Sequence, residues 1–408
     1  MPYAQLPRRR DPPRPPARPV TPCPLRQGDG GQALRAQHYT VAVRVAILGA
    51  GIIGVSIADA LARLGAGVTV LDARAPGRGA SQASAGILAP YTEASHESPL
   101  LPFAARSLAL FDEFVAGASA RSGIRIEYAR TGTLEVAFDD AGARHLRMMA
   151  TWLEAANEPA DWLEPADVAG IEPQVTPDNL GALFIRSHGY VGVPSLMRAL
   201  TQSARLAGAV FEAPVEVLDV SSGPDHLIVR AGARAYAADA VVVAAGSWSG
   251  GLRIDGRPRW PVRPVRGQLL ELQWAADQTM PQRVVWGPGC YCVPWSTGAM
   301  LVGATSEEAG FDERATVDGV ARLTAAVSAL LPAARNAAVA DIRVGLRPAT
   351  PDGLPIVGPL RETPRIVAAT GHFRNGILLA PLTAQAVSRY LMDGATDDLF
   401  AIATPDRF

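Results

Sequence analysis

Apolar positions along the chain fall into three kinds of pattern, and their order predicts the architecture. Residues 41–48 form a continuous apolar run, residues 54–64 carry apolar positions at helical spacing, and residues 68–71 form a second short apolar run. This is the signature of a βαβ unit. Residues 102–118 again have helical spacing, whereas 125–138 alternate like strands, with Gly132 as a turn and with entry into a second domain. A helix at 195–207, started by Pro194, leads to strand-like runs at 215–220, 227–230 and 240–245, read as a return to the first domain. Segments 269–274, 291–295 and 300–304 alternate between turn residues, predicting an antiparallel sheet with one face free to roof a ligand cavity. A strand at 365–370, a Gly-rich loop and a helix at 377–392 close the chain, and no internal repeat is visible. The expected fold class is α/β, a Rossmann-like nucleotide-binding domain joined to an α+β domain built on an antiparallel sheet. The nucleotide-binding domain is expected to be discontinuous, at 41–125, 190–255 and 340–408, with a substrate domain at 126–189 and 256–339.

The 408 residues, 48% of them hydrophobic and 19% charged, are enough for a large core in two domains. The longest apolar run, 45–58, is too short to span a bilayer, which takes roughly 18 to 20 residues. Residues 1–40, rich in Pro, Arg and Gly, are expected to be a disordered tail. They hold seven Arg and two Asp, a balance of +5, which leaves −6 on the rest of a chain whose formal charge is −1. A mildly acidic body argues against a nucleic-acid groove. Prolines follow Arg8, Arg9 and Arg10 where an export signal needs an apolar stretch, so a mis-assigned start, with the true beginning near Val41, is the expected explanation.

Cysteine occurs only at Cys23, Cys290 and Cys292, which provides no disulfide framework and fits a reducing cytoplasm. Every basic residue is Arg, so a Schiff-base lysine, a pyridoxal phosphate lysine and a Walker A lysine are all excluded. The six His have no metal-ligand spacing, and no metal site is expected. The glycines of the Gly246-Ser247-Trp248-Ser249-Gly250 stretch are out of register for a hydrolase nucleophile elbow.

Gly49-Ala50-Gly51-Ile52-Ile53-Gly54 lies between the predicted first strand and helix, and Asp72, followed by Ala73 and Arg74, ends the second strand at the spacing of a ribose-binding carboxylate. Gly49 allows the tight turn, Gly51 lets a pyrophosphate approach the backbone, and Gly54 lets helix and strand close up. The motif does not distinguish FAD from NAD. A second loop, Gly371-His372-Phe373-Arg374-Asn375-Gly376, sits between strand and helix without a second dinucleotide fingerprint. It is either an ordinary turn or a helix N-terminus placed to favour the negative pyrimidine edge of a reduced flavin.

G-H-F-R-N-G-I-L-L-A-P at 371–381, G-L-R-P-A-T-P-D-G at 345–353 and C-Y-C-V-P at 290–294 resemble the glycine oxidases of the D-amino-acid oxidase family of flavoproteins. The resemblance covers nearly everything after residue 41, including 77–88 and 241–250. It implies FAD as the cofactor, held without a covalent bond, since the flavin-linking cysteine of the related sarcosine oxidases has no counterpart. It implies that Arg347 clamps the substrate carboxylate, that Tyr291 donates a hydrogen bond to it, and that Arg374 stands near the same pocket. Physics is compatible: Arg offers a planar fork, and in a strand Tyr291 points away from Cys290 and Cys292. Without the resemblance, an ion pair of Arg347 with Asp341 or Asp352 is the ordinary expectation. Ser84, Ala85, Gly86 and Ile87 match the loop beside the flavin, Val215 matches a position whose backbone meets the adenine end, and Gly246 belongs to the same cofactor set. His372, Phe373, Arg374, Asn375, Gly376, Ile377 and Leu378 are expected to wrap the isoalloxazine. One departure is Ser306, where the family typically has a Met bordering the substrate.

The implied reaction is oxidation of glycine, sarcosine or a small D-amino acid to a 2-oxo acid, ammonia or methylamine, and hydrogen peroxide, with dioxygen as the acceptor. The neutral amine supplies the electron push, so no catalytic side-chain base is required. The resemblance also implies a homotetramer and a role in supplying the glycine imine for the thiamine thiazole. Rival readings are a D-amino-acid dehydrogenase with a quinone acceptor and a non-catalytic FAD-binding subunit. A nicotinamide dehydrogenase leaves the second Gly-rich loop and the Arg and Tyr constellation unexplained.

Overall fold

In the computed structural model, residues 43–93, 97–274 and 277–408 are described, and the tail expected at 1–40 lies outside them. A six-stranded sheet runs in the order Ile356–Pro359, Ile366–Thr370, Ala240–Val243, Arg44–Leu48, Gly67–Leu71, Val210–Glu212, and all but the first of these are parallel. Its central strands read as unbroken apolar runs because both faces are covered. Helices Ile52–Arg63, Val193–Leu206 and Gly376–Asp393 contribute to the apolar core that holds Ile47 and Val242. Against the opposite face, which carries Leu48 and Val241, packs a five-stranded sheet through Val220, Leu227 and Val229.

Two local readings are refined. The strand in the run at 215–220 is Asp219–Ser222, which pairs with Leu227–Ala231 in the five-stranded sheet. The edge strand of the parallel sheet is Val210–Glu212, three residues with Val210 exposed, too short and polar to give an apolar signature. The helix expected at 102–118 is two helices, Leu101–Ala109 and Phe111–Ser122. Leu110 between them keeps right-handed helical angles (φ −80°, ψ −13°), so the apolar spacing runs through the break unaltered.

The second large sheet has eight strands in the order Ala338–Ala349, Arg263–Gln273, Ala299–Gly303, Cys290–Pro294, Val284–Gly287, Thr133–Val136, Ala182–Ile185, Ala160–Leu163. One parallel pair, Val284–Gly287 with Thr133–Val136, interrupts its antiparallel run. Leu134, Val285, Cys292 and Val302 bury one face in a core shared with Leu323 and Val327 of helix Val317–Leu330. The alternate residues form the other face, where Glu135, Trp286, Tyr291 and Gly303 lie in one row across four strands. Among the described residues no helix is long and apolar enough to cross a membrane.

Candidate active site

The first glycine cradle is forced by close approach. Gly49 has φ +110°, and a Cβ there would lie 2.3 Å from the Ala244 carbonyl oxygen. A Cβ on Gly54 would lie 1.9 Å from the Gly49 carbonyl oxygen, so the helix closes onto the strand only with hydrogen at that position. Gly51 opens helix Ile52–Arg63 with no side-chain cap; the Ile52 N–H donates to Ser81 Oγ at 3.0 Å, and the neighbouring N–H groups of the first turn have no helical acceptor. Asp72 accepts from the Ala50 N–H at 2.6 Å and the Arg74 N–H at 2.7 Å, and its own carbonyl accepts from the Val215 N–H at 2.8 Å. Desolvation raises the Asp72 carboxyl above its ordinary range against the pull of these donors.

Helix Gly376–Asp393 also begins without a side-chain cap, at Asn375. Both helix starts open onto one cavity of about 750 Å³. Its dinucleotide end is lined by Gly49, Gly51, Ile52, Ile53, Asp72, Ala73, Arg74 and Val215, and its middle by Ser84, Ala85, Gly86, Ile87 and Gly246. His372, Phe373, Arg374, Gly376 and Ile377 line the far side. Gly54, Asn375 and Leu378 are not in the wall: Gly54 sits behind Gly49, Asn375 is the helix cap, and the Leu378 carbonyl accepts from Ser107 Oγ at 2.6 Å. The His372 imidazole is turned to Thr383 Oγ1 at 3.1 Å, and burial brings it down to about 3, so it is neutral. A cavity with two free helix N-termini and a glycine turn fits a long, anionic, two-phosphate ligand.

At the far end, Arg347 and Tyr291 both rest on glycine. A Cβ on Gly267 would lie 2.2 Å from Arg347 Nη1, and one on Gly303 would lie 2.4 Å from the Tyr291 hydroxyl. Arg347 Nη1 donates to the Thr305 carbonyl at 2.9 Å. The ordinary partners are engaged elsewhere, Asp352 by Arg407 and Asp341 by Arg343. Desolvation pushes Tyr291 up to about 12, so the phenol stays protonated as a donor; it also lowers Arg347, whose guanidinium nevertheless keeps its charge because arginine is not deprotonated in proteins. Arg374 is exposed on the cavity wall, and Ser306 is exposed and outside it.

Glu93 also lines this end, and sequence reasoning missed it. Desolvation raises its carboxyl, opposed first by Arg374 and then by Arg347. Glu135 is pushed up to about 7 by desolvation, with the Glu93 charge adding to the rise and the Thr92 hydroxyl opposing it. Gly267 was missed too, although a glycine inside an apolar strand is a signal of close approach. Gly267→Ala is expected to displace the guanidinium, the flexible partner of that contact, and to raise KM for a carboxylate substrate several-fold with FAD content unchanged. Steady-state kinetics check this, and an unchanged KM would separate Arg347 from substrate binding.

The cradle, the cavity and the second helix start define a class, the FAD-dependent oxidoreductases, and the chain belongs to that family: residues 44–390 match the family described as FAD dependent oxidoreductase. Its cofactor is FAD. Within the family the chain is 35% identical over 346 residues to the glycine oxidase of Geobacillus kaustophilus, covering 84% of this chain and 91% of that one. The crystal structure of glycine oxidase from the same organism matches with a TM-score of 0.85, covering 90% of this chain and all (100%) of that one. The bifunctional protein ThiO/ThiG of a Synechocystis species is 32% identical over 372 residues, which are 89% of this chain and 54% of the longer relative.

Proposed function

We propose that this protein catalyses the FAD-dependent oxidative deamination of glycine, sarcosine or a small D-amino acid, giving the 2-oxo acid, ammonia or methylamine, and hydrogen peroxide. The observation that carries this reading is Arg347, desolvated, facing Tyr291 and forming no ion pair with a carboxylate among the described residues. The similarity to glycine oxidases supports it. When bound, FAD supplies the two-electron acceptor and the route to dioxygen. Arg347 and Tyr291 hold the substrate carboxylate, which fixes the α-carbon relative to the cavity. The start of helix Gly376–Asp393 favours negative charge on the ligand beside it. No side chain has to remove the α-proton, because the electron push comes from the amine.

The same reading includes a non-covalent FAD, a discontinuous cofactor domain at 41–125, 190–255 and 340–408, and a substrate domain at 126–189 and 256–339. It also includes a cytoplasmic homo-oligomer and, from the likeness to ThiO/ThiG, a role in thiamine thiazole synthesis. Glycine, sarcosine and D-alanine added separately under nitrogen test the central claim. Bleaching of the oxidised-flavin band, with recovery and peroxide in air, is the expected result. Bleaching without recovery would identify a dehydrogenase, and no bleaching by any of the three would overturn amine chemistry at this site.

A further inference from the structure

An amino acid reaches the cavity as a zwitterion, yet only its neutral amine can push out a hydride. The ammonium proton therefore has to leave first, and Arg347, Arg374 and Tyr291 are donors that cannot take it. The remaining carboxyl in this part of the wall among the described residues is Glu93; of the other titratable groups there, Cys290 is packed into the core behind the sheet and the His372 ring is turned to Thr383.

Glu135 stands behind it. Leu134 and Val136 point into the core on the far face of the eight-stranded sheet, so Glu135 points to the cavity face, level with Trp286 and, one strand further, Tyr291. Two strand spacings of about 4.8 Å separate it laterally from Tyr291. Glu93, next to Thr92 on the short helix Pro90–Glu93, lines the cavity and lies within electrostatic reach of Arg374, Arg347 and Glu135.

We propose that Glu93 accepts the ammonium proton of the bound substrate and that Glu135, acting through Glu93, positions it and sets the pH at which it can do so. This rests on the amine oxidation proposed above. The step balances: an N–H bond of the ammonium breaks, its proton joins a Glu93 carboxylate oxygen, and the electron pair stays on nitrogen. That pair is then free to form the C=N bond when the α-hydrogen leaves as hydride, for which FAD would be the acceptor when bound, and the proton passes from Glu93 to solvent. An acceptor that ionises near the working pH is the efficient kind; burial raises the Glu93 carboxyl, and burial, with the Glu93 charge adding a smaller push, brings its neighbour Glu135 to about 7.

The test is the pH profile of anaerobic flavin reduction by glycine in the holoenzyme. In the wild type the rate rises as the pair ionises and then levels off. Glu93→Gln should lower the rate at pH 7 by at least tenfold and extend the rise towards the pKa of the free amine. Glu135→Gln removes the neighbouring negative charge, so Glu93 ionises more easily and the rise moves to lower pH. A second readout needs no turnover: acetate, titrated against the flavin band, should bind more weakly as the pair ionises, and Glu93→Gln should remove that pH dependence. Profiles of both variants that superimpose on the wild type would overturn the proposal. A wild type that no amine reduces would instead overturn the reading of amine oxidation itself.

Discussion

Arg347→Ala is expected to cost roughly 2 to 5 kcal/mol, the usual range for truncating one side of a desolvated charge pair. That corresponds to a loss of about 30- to 5,000-fold in kcat/KM. The loss should fall mainly on KM, because the guanidinium holds a group that does not react. FAD should stay bound, since Arg347 stands on the eight-stranded sheet while Gly49 and Asp72 follow strands of the six-stranded one. The truncation also leaves the Thr305 carbonyl without its donor, so part of the cost comes from a stranded acceptor rather than from the substrate. Arg347→Lys should recover only part, because an ammonium presents a point charge where the carboxylate meets a planar fork. Unaltered kinetics in the alanine variant, with its flavin spectrum intact, would remove Arg347 from the site.

Gly54→Val should lose the cofactor and much of the stability together. Its Cβ would meet the Gly49 carbonyl oxygen at 1.9 Å and the Gly49 carbonyl carbon at 3.1 Å. Both contacts are backbone, so no side chain can swing aside, and helix Ile52–Arg63 would have to lift from strand Arg44–Leu48. Overpacking of this kind usually costs about 1 to 3 kcal/mol, and a backbone clash belongs at or above the top of that range. At Gly51, by contrast, a Cβ meets nothing nearer than Ser81 Oγ at 3.6 Å. Gly51→Ala should therefore keep its melting temperature while weakening FAD binding. The flavin-to-protein absorbance ratio and the melting temperature of the two variants separate these outcomes, and a Gly54→Val protein that is yellow and unshifted in Tm would refute the packing argument.

The cradle was legible from sequence because its chemistry is local. Three glycines, a preceding apolar run and a carboxylate at the end of the next strand lie within one βαβ unit, and each has a backbone reason visible from spacing alone. Arg347 and Tyr291 were legible only through resemblance, since an arginine in a strand with aspartates nearby reads equally well as a surface pair. Glu93 and Glu135 left no signal. A glutamate in an alternating strand normally marks the solvent face, and only the eight-stranded order, which sets Thr133–Val136 beside Val284–Gly287, turns that face towards a cavity.

Gly267 and Gly303 have a consequence for how this enzyme can diversify. The carboxylate clamp stands on bare backbone, and any side chain added beneath it collides with Arg347 or Tyr291. That half of the pocket is closed to variation. Ile87 lines the cavity as well, and it belongs neither to the clamp nor to the carboxylate pair, whereas Trp286 packs on the Tyr291 ring at 5.1 Å and is tied to the clamp. Shifts in substrate preference among descendants of this chain should therefore accumulate at positions such as Ile87, with the acid end of every accepted substrate held constant.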